Sequence, residues 1–232
     1  MTWGMYEPTG DGDFWPDGEY IDREAKLEHY FNNVMSQEER QLFNNRLSTY
    51  RRFTSEKLTG EIGVPRKWDP TLTLPLEHEL PSGYKTRRTY KKLGSLIKLD
   101  NRQIAVDAPF KEIIERLEPG VHQFWPFRIV MPKGKEYPVP YFGIRVGTFM
   151  DAFRPELSDE GSYRESSGRY TAVSDTKAGL AKLAMSREAI GSHHLWRDRK
   201  LWRPAFYLSD ELQAAIKQAG LRVTKHHKMK DV

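Results

Sequence analysis

Residues 104–129 read IAVDAPFKEIIERLEPGVHQFWPFRI, and this stretch decides the fold class. A short apolar run meets Asp107, whose side chain suits a helix N-cap. Phe110, Ile113, Ile114 and Leu117 then line one helix face, and Pro119–Gly120 end it. A second apolar run starts at Val121. The spacing predicts strand, short amphipathic helix, strand. Residues 206–224, FYLSDELQAAIKQAGLRVT, repeat the plan. There Ser209 and Asp210 open the helix, Leu212, Ala215, Ile216 and Ala219 line it, and Gly220 closes it. Any strand–helix–strand unit has this form, so no duplication is inferred.

Working outward, VHQFWPFRIVMP (121–132) and YFGIRVGTFMDAF (141–153) are rich in β-branched and aromatic residues. KGKEYPVP between them is turn-rich, which predicts an antiparallel pair. GSLIKLD (94–100) and QIAVD (103–107) are short strands. TLTLPLEHEL (71–80) alternates like a strand, but Pro75 restricts it to an edge. SGYKTRRTYKK (82–92) reads as a basic loop and ELSDEGSYRESSGR (156–169) as a polar one. YTAVS (170–174) reads as a strand and DTKAGLAKLAM (175–185) as a helix. Before these, Leu27, Tyr30, Phe31 and Val34 make one apolar helical face. SQEE at 36–39 has capping-box spacing, so a second helix starts there and carries Phe43, Leu47 and Tyr50. GEIGVPRKWDP (60–70) breaks the pattern. The expected fold is α+β: a mostly antiparallel sheet with short amphipathic helices and an N-terminal helical pair. The expected division is residues 1–60, an acidic segment with the helical pair, and 61–232, the α+β domain.

The 232 residues contain no cysteine, so disulfide and thiolate chemistry are excluded. The first residues lack the basic and apolar regions of a secretory signal, and no apolar run reaches membrane-spanning length. A cytoplasmic location is expected. Charge is uneven. Residues 1–39 hold 10 of the 32 acids and 2 of the 37 bases, which leaves the rest of the chain at +13. Partners of either sign are compatible with that asymmetry.

GSHHLWRDRKLW (191–202) has the paired histidines that begin the catalytic finger of one class of metal-dependent nucleases. That chemistry also needs a downstream Asn and a further ligand. No Asn follows Asn101, and the later His226 and His227 lie beyond a complete helix. Asp198 is flanked by arginines expected to hold it as an ion pair. His193 and His194 are therefore read as one packed and one solvated side chain. No phosphate loop or serine elbow occurs. No catalytic residue, metal or cofactor is assigned. GYKTRRTYKKLG (83–94) could touch nucleic acid but matches no recognition module.

The blocks at 104–129, YFGIRVGTFMDAFRPE (141–156), SHHLWRDR (192–199) and FYLSDELQAAIKQAGLRV (206–223) occur in an order that resembles the bacterial immunity-protein family numbered eleven among the polymorphic-toxin antidotes. The resemblance spans residues 93–224, and the helices at 22–53 fall outside it as an insertion or added lobe. It implies a non-enzymatic cytoplasmic antidote in interbacterial competition, including type VI secretion. Such a protein binds a cognate secreted toxin and blocks its active site or substrate groove. The alternatives are a nucleic-acid-binding module and a histidine-dependent metal nuclease. If the chain is an antidote, DGDFWPDGEYID (11–22) combines Asp11, Asp13, Asp17 and Glu19 with Phe14, Trp15 and Tyr20. The carboxylates would steer a basic groove, such as that of a nuclease toxin, toward an aromatic anchor. In the competing account Phe14 and Trp15 pin the N-terminus to the domain.

Overall fold

The computed structural model describes residues 1–59 and 74–232. The chain opens with β1 (Thr2–Met5), β2 (Gly18–Tyr20) and α1 (Arg23–His29). α1 runs into a π turn over Tyr30–Val34. The wider turn displaces the helical register. Val34 is exposed, and Met35 takes the core position beside Leu27 and Phe31. α2 (Gln37–Leu42) starts on the expected capping box, with Ser36 Oγ accepting from the Glu39 N–H at 3.1 Å. It does not run on. Asn44 and Asn45 adopt φ of 55° and 53°, a left-handed conformation that Asn tolerates, and α3 (Leu47–Thr59) starts afresh. The expected helical pair is thus three short helices around their own core of Leu27, Phe31, Phe43, Tyr50 and Phe53. Arg145 Nε donates to the Lys57 carbonyl at 3.2 Å, which ties α3 to the main body. The expected break at 60–70 and the start of the expected strand at 71–80 lie outside the described residues. The rest of that strand holds a 3-10 turn, Glu77–Glu79.

Then follow β3 (Gly83–Thr86), β4 (Leu96–Lys98), β5 (Ile104–Asp107), α4 (Ala108–Leu117), β6 (Gln123–Met131), β7 (Lys135–Glu136) and β8 (Tyr141–Arg145). They form a sheet ordered β2-β3-β6-β8-β5-β4, with β7 on β6. The predicted strand–helix–strand unit is present, and Asp107 caps α4 by accepting from the Phe110 N–H at 3.0 Å. β6 and β8 pair antiparallel as predicted, with Trp125 opposite Gly143. Gly143 is required there, because a Cβ would overlap the Trp125 indole. The stretch 82–92, expected as loop, supplies β3, which pairs parallel to β6. Pro126 is tolerated because β3 reaches β6 only from Arg128 onward, so no ladder N–H is missing on that side.

The last third supplies β9 (Phe149–Met150), β10 (Tyr163–Ser166), β11 (Arg169–Ala172), α5 (Lys177–Leu180), β12 (Ala184–Met185), α6 (Arg187–Ile190), β13 (Leu195–Asp198), β14 (Phe206–Ser209), α7 (Asp210–Gln218), β15 (His226–Lys228) and β16 (Lys230–Asp231). The expected polar loop at 156–169 contributes β10 and pairs with β11 in a hairpin. The second sheet is ordered β15-β1-β14-β13-β9, so the first strand of the chain is an interior strand among its last ones. The expectation of a mostly antiparallel sheet holds only in part. β3–β6, β9–β13 and β12–β16 are parallel, and the architecture is mixed α+β. The main core joins both sheets through α4 and α7, with Ile104, Val106 and Ile144 meeting Phe110, Ile114, Leu208 and Leu212.

Candidate partner-binding surface

Residues 11–20 form a strap across the sheet of β2–β6. Gly12 and Trp15 close a tight turn through paired backbone bonds of 2.8 and 3.2 Å. The Gly94 N–H donates to the Asp13 carbonyl and the Lys98 N–H to the Phe14 carbonyl, both at 2.8 Å. Phe14 lies flat on Gly94, where a Cβ would clash with its ring. The Arg222 guanidinium sits 5.6 Å from the Phe14 centroid, and Lys98 Nζ sits 3.8 Å from that of Trp15. Both rings are half-buried. Tyr20 donates to the Asp100 carbonyl at 2.6 Å and meets Tyr84 edge-on. Of the acids, Asp13 pairs with Arg222 at 2.7 Å and Asp17 with Arg87 at 3.0 Å. Asp11 and Glu19 are exposed, and Glu19 stands opposite Lys85 in the β2–β3 ladder. Two of the four carboxylates thus meet arginines, while Tyr20, next to the exposed Glu19 in β2, points to the other face and packs against the Tyr84 core cluster.

The histidine segment has a different logic. His194 Nδ1 lies 2.8 Å from Ser209 Oγ, the N-cap of α7, and its side chain is mostly buried. His193 is more exposed, and its Nδ1 lies 3.1 Å from Glu118 Oε1. Glu118 is the centre of the network and carried no sequence signal beyond ending α4. It is 5% exposed. Its Oε2 accepts from the Leu195 N–H at 2.8 Å and lies 2.8 Å from His122 Nε2. His122 Nδ1 accepts from the Gly147 N–H at 3.0 Å, so its proton sits on Nε2 and points at Glu118. Burial pushes the Glu118 carboxyl up. The bonds from His122 and from the His194 and Leu195 backbone outweigh it and hold the carboxyl at about 2. Each of these groups already has a fold partner. Among the described residues, no three His, Asp or Glu side chains could together hold a metal ion.

Asp198 also differs from expectation. Its carboxylate accepts four backbone N–H bonds, from Ala152, Phe153, Lys200 and Leu201, at 2.8–2.9 Å. It latches the loop through these backbone bonds. Arg197 stacks on Phe206, 4.2 Å from the ring centroid. His226 packs edge-on against Trp3, and His227 stands beside it in β15. Among the described residues, no helix is long and apolar enough to cross a membrane.

The structure is therefore that of a mixed α+β protein whose histidines and buried acids hold its own elements together, with an aromatic strap fixed to its surface. The model of the Immunity protein family (Imm11) matches residues 20–231, nearly the whole chain, and the protein belongs to that family. The match starts at residue 20, so α1, α2 and α3 fall within its bounds. No curated protein matches the chain.

Proposed function

We propose that this protein is the antidote to a secreted bacterial toxin. It binds the toxin domain in the cytoplasm and covers its active site or substrate groove, without catalysing a reaction. The family match over residues 20–231 carries this reading. The histidine segment supports it, since its polar groups are engaged by the fold. The strap is the contact proposed for the toxin. Asp11 and Glu19 are exposed there, and Phe14 and Trp15 present half-buried rings on a backbone already held in place. A preorganised aromatic surface loses little entropy on binding. The division at residue 60 belongs to the same proposal, with the acidic strap and the helices acting as a lobe on the α+β body.

The test is co-expression with the toxin domain encoded beside this chain, together with calorimetric titration of the purified pair. Protection of the cells and a saturable complex are expected. A chain that neither protects nor binds overturns the reading. The exposed basic run Lys85, Arg87, Arg88, Lys91 and Lys92 favours a second reading, a nucleic-acid-binding module. Salt-sensitive retention of plain DNA or RNA by the isolated chain would establish it.

A further inference from the structure

Between the strap and β15 lies a cleft of about 660 Å³. One wall is apolar and is made by Tyr6, Pro8 and Phe14. The cleft lining also includes Lys177, Lys225 and His227. The two sets are joined by a backbone bond, with the Tyr6 N–H donating to the Lys225 carbonyl at 2.6 Å. Thr224 lines both this cleft and the narrow cavity behind it. It is 5% exposed, and its hydroxyl has no hydrogen-bond partner. A buried hydroxyl left unpaired is disfavoured by the fold alone, and a bound acceptor would satisfy it.

The electrostatics point the same way. Burial pushes the His227 imidazole down, and His226, Lys177 and Lys225 push it further. Asp175 is the acid of the lining. Burial pushes its carboxyl up, and Arg203 acts against that. Beyond residue 39 the chain carries +13, so the cleft belongs to a basic body.

We infer that this cleft receives an acidic loop of the toxin, seating a Glu or Asp carboxylate between Lys177 and Lys225 and the neighbouring apolar side chain against Phe14. Charge complementarity selects this occupant, because an uncharged or basic loop would leave the cations unmatched. Phe14 belongs to both the strap and the cleft, so the two form one continuous contact. This inference rests on the antidote reading and names the chemistry of its partner.

The test uses the full chain and the neighbouring toxin domain, with affinity measured at low and high salt. Lys177→Glu with Lys225→Glu changes two exposed side chains and should weaken binding about tenfold or more at low salt. Lys133→Glu with Lys135→Glu makes the same change in net charge at exposed positions outside the cleft and should leave affinity within about twofold. Thr224→Val should raise the melting temperature, since it removes an unpaired buried hydroxyl, yet weaken binding a few-fold. Wild-type affinity in the cleft double variant, or equal losses in both double variants, overturns the inference. If the wild type fails to bind the toxin, the antidote reading has failed, and a toxin-independent measurement decides the cleft. A capped Glu-Phe-Glu peptide should shift the backbone amide signals of Lys225 and His227, and its Gln-Phe-Gln counterpart should not. Identical responses to the two peptides, or none to either, overturn the assignment.

Discussion

Glu118 and His122 face each other across the Pro119–Gly120 turn, with Oε2 2.8 Å from Nε2. Only three residues lie between them, and the same carboxylate holds the start of β13, 77 residues further on, through the Leu195 N–H. This one side chain joins the end of α4, the entry to β6 and the histidine segment.

Glu118→Gln should therefore destabilise the fold and also remove an acid-sensitive component of its stability. The folded carboxyl sits at about 2, below its ordinary 4.5. A depressed value means that the charged form stabilises the fold above about pH 4.5. That contribution, of order 3 kcal/mol, is lost as pH falls from there toward 2. Denaturant midpoints of wild type and variant should converge over this window. Parallel curves would show that Glu118 is not the group responsible.

Within β6 the cost of truncation should alternate with the strand. Phe127 is 2% exposed in the cluster with Tyr84, Ile97 and Tyr141, and Phe127→Ala should cost about 3–5 kcal/mol. Phe124 is only half-buried on the α4 side, so Phe124→Ala should cost clearly less. Gly143→Ala should destabilise by about 1–3 kcal/mol or more, because its methyl meets the Trp125 indole in a paired strand. Thermal unfolding of the three variants checks the order, and equal losses for the two phenylalanines would contradict it.

Reversing Asp11, Asp13 and Asp17 to Lys should slow association with the toxin, most visibly at low salt. The pairs to Arg222 and Arg87 are solvent-exposed, so stability should change by only about 1 kcal/mol. Stopped-flow binding resolves the rate. An unaltered rate and salt dependence would move the contact away from the strap, with the basic run around Tyr84–Lys92 the next surface to test.

His193→Ala with His194→Ala should leave toxin neutralisation intact in whatever fraction folds. The side chains bond to Glu118 and Ser209, both within the fold. Incubation of the wild type with plasmid DNA or RNA and Mg²⁺, Mn²⁺ or Zn²⁺ should give no cleavage. Metal-dependent cleavage by the wild type that disappears in the folded double variant would establish the nuclease reading instead.

The sequence alone determined the strand–helix–strand unit of β5, α4 and β6, the strand and helix of β14 and α7, the antiparallel β6–β8 pair and the capping box at Ser36. The signals for these elements are local. A cap reaches three residues along the chain, and a helix face repeats every three or four. Residue order was also enough to carry the family resemblance. Only the tertiary structure decided the rest. β3 and β10 come from polar stretches whose strand character arises from pairing, and β1 is completed by partners more than 200 residues away. Glu118 looked like the end of a helix because its acceptor role depends on donors brought from β13 and from the turn after α4. The cleft likewise needs residues 6–14, 175–177 and 224–227 side by side. Long-range pairing and burial set these positions, and neither leaves a periodic mark in the residues that take part.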